Sequence, residues 1–512
     1  MDDDASRKFR RSALLGLAVT LLTAGGADAQ ATRPRASPPL QVAAPPAPVP
    51  AAAGPRLPIS LADAVFIGLR DNRTVKSAYL SRAAEKYDLF VARTRFLPSG
   101  VIDASVDRTR QDGRDSTSTV VAPAAVWLVP TGAQFQFAWT RLDLRGPGTS
   151  QGADTAVLSV SQPLLRGAGL AVNAAPVTLA VLQEQINRQR LRATVSNTVA
   201  SIILAYRALS QAQAQLVIAR QSLERSQTQL GVNQALIDAG RMAAADIVQT
   251  QADIANQQVA LLAAEQQRNT AQLTLLGLLA MDLHTDIVAG DDLQPRHLDI
   301  NLDRAIAVAL DSRPDYLSQR RGLEQAKQTL LIARNAQLWD LSVGASLQHQ
   351  TQRGGGVNID PVTGAPVPAV NLPDGTSSSV GVRLRIPLGD FSIRQREVQA
   401  DTAVRLQQVA LDDQRQRVEA EVRDAVQGVE LAWRRLEAAR LARDLAARTL
   451  ELERERLRFG RASNFEVLSF ETNLRAADTQ ALTAQVGYLN ALTSLDLQLG
   501  TTLDTWKISL ND

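Results

Sequence analysis

The sequence contains no cysteine, and this absence excludes several kinds of chemistry at once. Disulfide bonds, thiolate metal ligands, a cysteine nucleophile and a lipid anchor on an N-terminal cysteine are all unavailable to this chain. Aromatic residues are scarce, at 4%, which argues against a large globular enzyme core and suits seams of alanine, leucine and valine between helices. The formal net charge is only +3, with arginines interspersed among acids, so no nucleic-acid surface is predicted.

Proline is absent from two long stretches, between Pro176 and Pro295 and from Pro387 to the C-terminus. Because a proline inside a helix removes a hydrogen bond and costs about 3 kcal/mol, both stretches are predicted to be long helical hairpins. Each has a glycine near its middle, Gly240 and Gly460, and the residues around these two glycines are related. The pattern indicates a duplicated chain.

The duplication extends beyond the hairpins. Residues 61–69 recur at 302–310, and Pro163-Leu164 recurs at Pro387-Leu388. Each half reads as a helix, two extended segments and a long helical hairpin, with a first repeat over 58–290 and a second over 291–506. These units are far longer than the roughly 20 to 50 residues of a solenoid repeat, so the sequence predicts one duplicated architecture.

The N-terminus has the parts of a secretory signal: basic residues, a short uncharged run and the motif Ala27-Asp28-Ala29. A signal peptide is therefore predicted over 1–29, for general secretion in preference to twin-arginine export. The uncharged run is too short for a membrane anchor. Residues 30–57 are rich in proline and alanine, which predicts an extended linker. Residues 507–512 are assigned to a C-terminal tail.

After the signal, no apolar run is long enough for a membrane-spanning helix, so any spanning part must be made of strands. Alternation of apolar and polar residues predicts strands at about 101–110, 154–162, 341–351 and 379–387. Strands of soluble sandwiches alternate in the same way, so the alternation alone does not decide for a membrane. Segment 133–144 also alternates. Because a chain that leaves and re-enters on one side crosses an even number of times, this segment is assigned to an outer excursion.

Apolar residues in the proline-free stretches follow a seven-residue repeat. They are Val195, Val199, Ile202, Tyr206 and Leu209, continued in phase by Leu216, Leu223 and Leu230, and in the second stretch Val422, Val426, Val429, Trp433 and Leu436. This repeat predicts a coiled-coil-like seam. A helix of roughly 60 residues would be about 90 Å long, far too long for a compact globule.

Four strands cannot close a membrane barrel, because the smallest known barrels need eight. Three copies would supply 12 strands and would bring their long helices together as a tube. Trp127, Trp139 and Trp339 lie at or beside strand ends. They either form rings of aromatic residues at the membrane interfaces, or they only pack against other residues of the protein.

Short motifs stand at corresponding places in the two halves. They are Ile59-Ser60-Leu61-Ala62-Asp63-Ala64, Leu302-Asp303-Arg304-Ala305-Ile306, Ser312-Arg313-Pro314-Asp315, Ser161-Gln162-Pro163-Leu164-Leu165-Arg166-Gly167 and Ile386-Pro387-Leu388-Gly389. With the duplicated layout and the two glycine-centred tips, they make the chain resemble the TolC-like outer-membrane efflux and secretion channels of Gram-negative bacteria, over roughly 58–505.

The resemblance implies a fold class that is mainly α with membrane β. Long helical hairpins would form a periplasmic α-barrel, and four strands per protomer would enter the 12-stranded β-barrel of a homotrimer in the outer membrane. An adaptor protein would dock this channel onto an inner-membrane transporter. The implied function is a passive exit duct in a tripartite efflux pump or a type I secretion system. Drugs, metals and secreted polypeptides all remain possible cargo.

The family's periplasmic tips dock the adaptor and close the tunnel, which implies roles for residues at both glycine turns. The docking positions are Gly240, Arg241, Met242, Ala243, Gly460, Arg461, Ala462 and Ser463. Asp246 and Glu466 match acidic positions at the constriction, and we hypothesise that Arg461 is a displaced partner of Asp246. The alternative is that both acids are solvated residues favoured near a helix N-terminus.

The sequence departs from the best-known pattern of this family at three tip positions. Leu457 stands where a tyrosine is expected, Ala462 where an arginine is expected, and Ser469 where a second acid is expected. These departures are the reason for assigning a displaced partner to Asp246.

Two other classes of protein are alternatives to the channel. An enzyme has little support, because His284, His297 and His349 lack metal-ligand spacing and no phosphate-binding glycine loop precedes a helix. No cofactor or metal is predicted. A periplasmic coiled-coil adaptor or scaffold is the stronger alternative, since adaptors also use long hairpins. Two hairpins that alternate with paired strands in a duplicated chain favour the channel.

Overall fold

The computed structural model describes residues 57–111, 113–146, 149–292, 294–354, 357–359, 366–368, 374–459 and 461–510. The predicted signal peptide over 1–29, the predicted linker over 30–57 except Leu57, Gly460 and the last two residues of the predicted tail lie outside this range.

The helices of the described residues repeat in order and length. In chain order they are α1 Leu61–Asp71, α2 Arg73–Arg93, a 3-10 turn at Thr94–Phe96, α3 Leu170–Asp238, α4 Asp246–Leu279, α5 Leu302–Ser312, α6 Pro314–Asn335, α7 Phe391–Arg458, α8 Asn464–Leu499 and α9 Thr502–Thr505. Both ends of α5 lie 241 residues after those of α1, the shift at which the sequence repeats. The predicted fold class, mainly helical with duplicated halves and some strands, is confirmed.

Each proline-free stretch forms a hairpin with unequal arms. Helix α3 has 69 residues, about 100 Å at 1.5 Å per residue, whereas its partner α4 has 34. Helix α2 also packs against α3, and α6 packs against both α3 and α7. Helix α3 begins before Pro176 and includes it. No helix within the described residues is both long and apolar enough to cross a membrane.

The predicted seam is buried in the middle part of α3. Val195, Val199, Ile202, Tyr206 and Leu209 are at most 1% exposed and belong to one apolar core, which also takes in the end of α4. In α7, Val422, Val429 and Leu436 are buried as predicted. Packing of these apolar faces, rather than helix propensity, supplies most of the stability of such long helices.

The prediction that Leu223 and Leu230 continue the seam is wrong. After Leu216 the buried residues of α3 are Ala219, Ser222, Ser226, Gln229 and Asn233. Two consecutive steps of three, from 216 to 219 to 222, move the buried stripe by one residue and leave both leucines only half-buried. The part of α3 between Leu216 and the hairpin tip therefore has a mainly polar interior.

The strands form one large antiparallel sheet and two small pairs. In chain order they are β1 Leu57–Ile59, β2 Ser99–Gln111, β3 Arg114–Leu128, β4 Gln134–Gly146, β5 Thr149–Pro163, β6 Ile287–Ala289, β7 Asp340–Arg353, β8 Val357–Ile359, β9 Pro366–Pro368 and β10 Gly375–Arg385. The large sheet has the order β10-β7-β5-β4-β3-β2. Strand β1 pairs with β6 in parallel, and β8 pairs with β9.

Six strands, rather than the predicted four, belong to the large sheet. Strands β2, β5 and β7 cover the first three predicted segments, and β10 contains the fourth except for its last two residues, since it ends at Arg385. Segment 133–144, which was assigned to an outer excursion, is instead part of the large sheet, because it lies almost wholly in β4, which pairs with β3 and β5. Among the described strands of the large sheet, four belong to the first half and two to the second, so the number in each half is even because β3 adds a fourth strand to the first.

The sequence did not predict strand β3, because Pro123 and a run of serines and threonines are typical of a loop. Proline lacks the N–H that a strand donates to its neighbour. The pairing of β3 with β4 is indeed interrupted at Ala122 and Pro123, whereas the pairing with β2 is continuous. The sheet accommodates the proline because neighbouring residues keep the ladder on both sides of it.

Candidate functional site

The first hairpin ends in a tight turn centred on Gly240. Gly240 has φ +70°, a conformation that residues with a side chain rarely adopt. Its N–H donates to the Ile237 carbonyl at 2.8 Å, and the N–H of Arg241 donates to the Leu236 carbonyl at 2.8 Å. These two bonds form a Schellman motif that ends α3. Gly240, Arg241 and Ala243 are exposed.

The second hairpin turns in a related way. The N–H of Arg461 donates to the Arg456 carbonyl at 2.8 Å, as Arg241 does to Leu236. Ser463 then begins α8 as its N-cap, and its backbone N–H donates to the Glu466 carboxylate at 2.7 Å. Hydrogen bonds from the Ser463 backbone and hydroxyl lower the pKa of Glu466. Glu466 is therefore held in a capping box and kept charged.

The two tips touch each other. A guanidinium nitrogen of Arg241 donates to the Arg458 carbonyl oxygen at 3.2 Å. Met242 and Ala462 pack against a small buried cluster of Leu450, Leu457 and Val467. Leu457, where the family resemblance led us to expect a tyrosine, is thus a core residue of the tip.

The structure does not bring the two proposed gate partners together within one protomer. Asp246 lies exposed in the first turn of α4, and Arg461 is exposed at the other tip. Among the ion pairs of the described residues, none joins these two side chains. Any pairing of Asp246 with Arg461 must therefore be made between neighbouring copies of the chain.

A buried polar cluster that sequence reasoning missed lies just inside the tips. The Asn233 amide of α3 donates to the Thr250 hydroxyl of α4 at 2.7 Å and to the Asn464 amide oxygen of α8 at 2.8 Å. Asn464 in turn donates to Thr250 at 3.1 Å, and Gln229 donates to Asn233 at 2.8 Å. The cluster ties both hairpins together, because its members come from three helices.

Two further polar contacts hold the arms of each hairpin near this cluster. Ser226 of α3 donates to Asp253 of α4 at 2.6 Å, and Arg454 of α7 pairs with Glu471 of α8 at 2.6 Å. The sequence did contain a signal for this buried cluster. Gln229 and Asn233 are spaced four residues apart, as residues on one face of a helix are, but the heptad phase assigned from Leu216 placed both outside the seam.

Two regions of the chain, residues 68–280 and 305–501, match the family described as outer membrane efflux protein. The matched regions cover most of the sequence and coincide with its two halves. The chain belongs to the outer membrane efflux protein family. A comparison with curated proteins gave no match.

Solved structures of outer membrane channels share the fold of this efflux protein. The CmeC channel of Campylobacter jejuni superposes with a TM-score of 0.64 at 15% identity, over 86% of this chain and 86% of that one. VceC of Vibrio cholerae gives 0.64 at 16% identity, over 86% and 96%. The open state of MtrE of Neisseria gonorrhoeae gives 0.62 at 17%, over 86% and 89%.

The family match settles the class of function. This efflux protein is an outer membrane channel, and its family is one of transport channels, not an enzyme family. Nothing in the comparisons favours the alternative of a periplasmic adaptor. The predicted TolC-like fold is confirmed by the shared architecture of these channels.

Replacing Asn233 with alanine is expected to loosen both tips of the efflux protein. The change leaves the Thr250 hydroxyl and the Asn464 amide short of a buried partner, at a cost of about 1–3 kcal/mol. Local opening should rise, so hydrogen exchange of the segments around Thr250 and Asn464 should accelerate about tenfold. Gln234→Ala, an exposed neighbour, is the control and should leave exchange unchanged. Equal exchange in both variants would contradict this role.

Proposed function

We propose that this efflux protein works as a homotrimer that forms a passive exit duct from the periplasm across the outer membrane. The sheets of three copies close a β-barrel in the lipid, and the long hairpins continue its lumen into the periplasm. The chain reaches the membrane through a signal peptide over 1–29 and has no cysteine for a lipid anchor. It serves a tripartite efflux pump or a type I secretion system.

The observation that carries this proposal is the open sheet with two free edges. Among the strands that the structure describes, β2 and β10 each pair with a neighbour on one side only. A sheet in lipid must close on itself, since unpaired N–H and C=O groups find no water there. Pairing of β10 in one copy with β2 in the next closes the sheet and leaves no edge.

Charges on the two edge strands support this pairing. The register runs from Val101 through Ala124, Ala138, Val157 and Gln348 to Ser377, which places these residues on one face of the sheet. Side chains alternate along a strand. Asp103 and Asp107 of β2 therefore share this face with Arg383 and Arg385 of β10. Acids stand at one edge and arginines at the other, so adjoining copies are complementary.

The exposed tips fit the proposed contact with an adaptor, which would link the channel to an inner-membrane transporter. The docking residues are Gly240, Arg241, Met242, Ala243, Gly460, Arg461, Ala462 and Ser463. In the described part, all but the two half-buried residues Met242 and Ala462 are exposed. Mutual packing of the tips through Met242 presents them as one surface.

We assign the gate to Asp246, Arg461 and Glu466 of the three copies. Three copies of an exposed acid around a narrow axis attract cations and repel one another. The pairing of Asp246 with Arg461 is made across the boundary between copies. Glu466 contributes negative charge while capping α8.

Purified protein in planar bilayers tests the channel and its gate together. The wild type is expected to conduct with a preference for cations, and Asp246→Ala is expected to raise conductance roughly twofold or more and to reduce that preference. Asp238→Ala removes another acid of the same tip and is the matched control. An unchanged Asp246→Ala channel would overturn the gate. A wild type that stays a detergent-free monomer without conductance would overturn the proposed function.

A further inference from the structure

The hairpin of β3 and β4 is built into the sheet along its whole length. It lies between β2 and β5, paired with both. Strands β3 and β4 have 15 and 13 residues, and β2 and β5 have 13 and 15. A strand tilted at about 45° needs about 9–11 residues to cross a bilayer. All four strands are long enough.

The turn between β3 and β4 reaches the end of the sheet where the helices begin. The N–H of Gly169, next to the start of α3, donates to the Thr131 carbonyl at 3.0 Å. Gly132 lies so close that a Cβ there would stand 2.3 Å from the Gly167 carbonyl oxygen. The Trp127 indole donates to the Phe96 carbonyl at 2.9 Å, just before β2. The hairpin is therefore anchored at the helical end of the sheet.

One face of the sheet is apolar on all six strands. We call it the apolar face; its residues include Ile102, Ala104 and Val106 of β2, Val121, Ala125 and Trp127 of β3, Phe135, Phe137 and Trp139 of β4, Ala156, Leu158 and Val160 of β5, Leu341, Val343, Ala345 and Leu347 of β7, and Val380, Val382 and Leu384 of β10. Phe137 is 45% exposed and Leu158 is 51% exposed. The opposite face is mainly polar or small.

The apolar residues form a slanted band. On β5 the middle of the band is Leu158, and the residue of β2 in register with Leu158 is Gly100. On β2, however, the middle of the band is Ala104, four residues further along the strand. The residue of β10 in register with Leu158 is Ser378. On β10 the middle of the band is Val382, again four residues away. The band shifts by eight residues over five strand steps. At about 3.3 Å per residue and 4.8 Å per strand, this is a tilt of roughly 45°.

Charged pairs bound the band at the outer end of the same face. Arg108 of β2 pairs with Asp115 of β3 at 2.8 Å, and Arg353 of β7 pairs with Asp154 of β5 at 2.7 Å. Arg141 pairs with Asp143 within β4 at 3.1 Å. At the helical end, Trp127 stacks on Phe135 with ring centroids 5.4 Å apart. An apolar band with aromatic residues at its margin is typical of a strand wall facing lipid, and the charged pairs mark where the band ends on the other side.

We propose that β3 and β4 cross the outer membrane with the other four strands, so that three copies of six strands form an 18-stranded barrel. This inference rests on the proposed function. Barrel diameter grows roughly in proportion to strand number, so this barrel is about 1.5 times as wide as one of 12 strands. The apolar face of β3 and β4 contacts lipid, and their opposite face lines the lumen.

Single cysteines in an otherwise cysteine-free chain test the inference directly. Phe137→Cys and Ala138→Cys place a thiol on the two faces of β4, and Leu158→Cys and Ser159→Cys do the same on β5 as the matched control. The probe is a membrane-impermeant maleimide, applied to outer membranes that contain the assembled protein. Ala138→Cys and Ser159→Cys are expected to react at least about tenfold faster than Phe137→Cys and Leu158→Cys, since lipid shields the apolar face.

Each outcome has a distinct meaning. If the β5 pair alternates but both β4 cysteines react equally fast, β4 lies in water, and the 18-stranded barrel is overturned while the channel stands. If neither pair alternates, the sheet is not in lipid and the proposed function fails with it. A second readout guards against misfolding. With Trp339, Trp433 and Trp506 replaced by phenylalanine, the remaining fluorescence comes from Trp127 of β3 and Trp139 of β4. Brominated lipids are expected to quench it, and absence of quenching would also overturn the inference.

Discussion

Reversing Asp103 and Asp107 to arginine is expected to abolish the trimer. The change would set four arginines against one another where β2 of one copy meets β10 of the next, and like charges placed across an interface cost several kcal/mol. Within the described residues, neither acid has an ion-pair partner in its own protomer, so the protomer itself should fold normally. The trimer band on unheated gels should fall at least about tenfold, and efflux should fall with it.

Reversing Arg383 and Arg385 to aspartate as well restores complementarity and is the decisive control. The fourfold variant should recover most of the trimer. The two arginine reversals alone should be as damaging as the two acid reversals. Because these charges would face the water-filled lumen of the proposed barrel, added salt should partly rescue either reversal. A fourfold variant no better than the acid reversals alone would show that these strands do not meet.

Replacing Gly132 with alanine is the second change expected to have a large effect. Gly132 has φ +98°, and its Cβ would meet the Gly167 carbonyl oxygen at 2.3 Å and the Asn173 amide nitrogen at 2.8 Å. The backbone of the turn must shift to relieve this clash. Strain and overpacking together are expected to cost about 3 kcal/mol. The temperature at which trimers dissociate should fall clearly.

Gly113→Ala separates the clash from the backbone strain. Gly113 is also in a turn of the sheet, with φ +77°, but a Cβ there would meet nothing within 4 Å. The Gly113→Ala change should lower the stability of the protein by only about 1 kcal/mol. If the two alanine variants dissociate at the same temperature, the turn is not packed against the end of α3 as described, and the anchoring of the β3–β4 hairpin fails.

Sequence reasoning predicted the long helices well, because their signal is repeated many times along the chain. The absence of proline, the repeat of residues 61–69 at 302–310 and the seam from Val195 to Leu209 each indicated the same architecture. The seam failed near the tips, where polar residues take the buried positions. The heptad phase was assigned from the apolar residues. Beyond Leu216 the buried stripe shifts by one residue, and because most of the buried residues there are polar, the hydrophobic pattern does not show the shift.

The candidate site was less accessible to sequence reasoning. The turn at Gly240 was predictable, since a glycine between two long helices ends the first of them. The alternative that Glu466 is a solvated residue favoured near a helix N-terminus was left open. Its bond to Ser463 in the first turn of α8 supports that alternative within one protomer. The cluster of Asn233, Thr250 and Asn464 joins residues more than 200 positions apart at its extremes. Such a contact is fixed only by how the hairpins pack.

The sequence by itself determined that this chain is a duplicated protein of long helices, and it predicted a signal peptide and a membrane-spanning part made of strands. These properties are local or periodic, so composition and spacing carry them. Only the tertiary structure decided that β3 is a strand, that β4 is inside the sheet and that polar groups fill the interior near the tips. Whether a segment with a proline pairs, or a polar side chain is buried, depends on the neighbours that satisfy its hydrogen bonds. Those neighbours are distant in sequence.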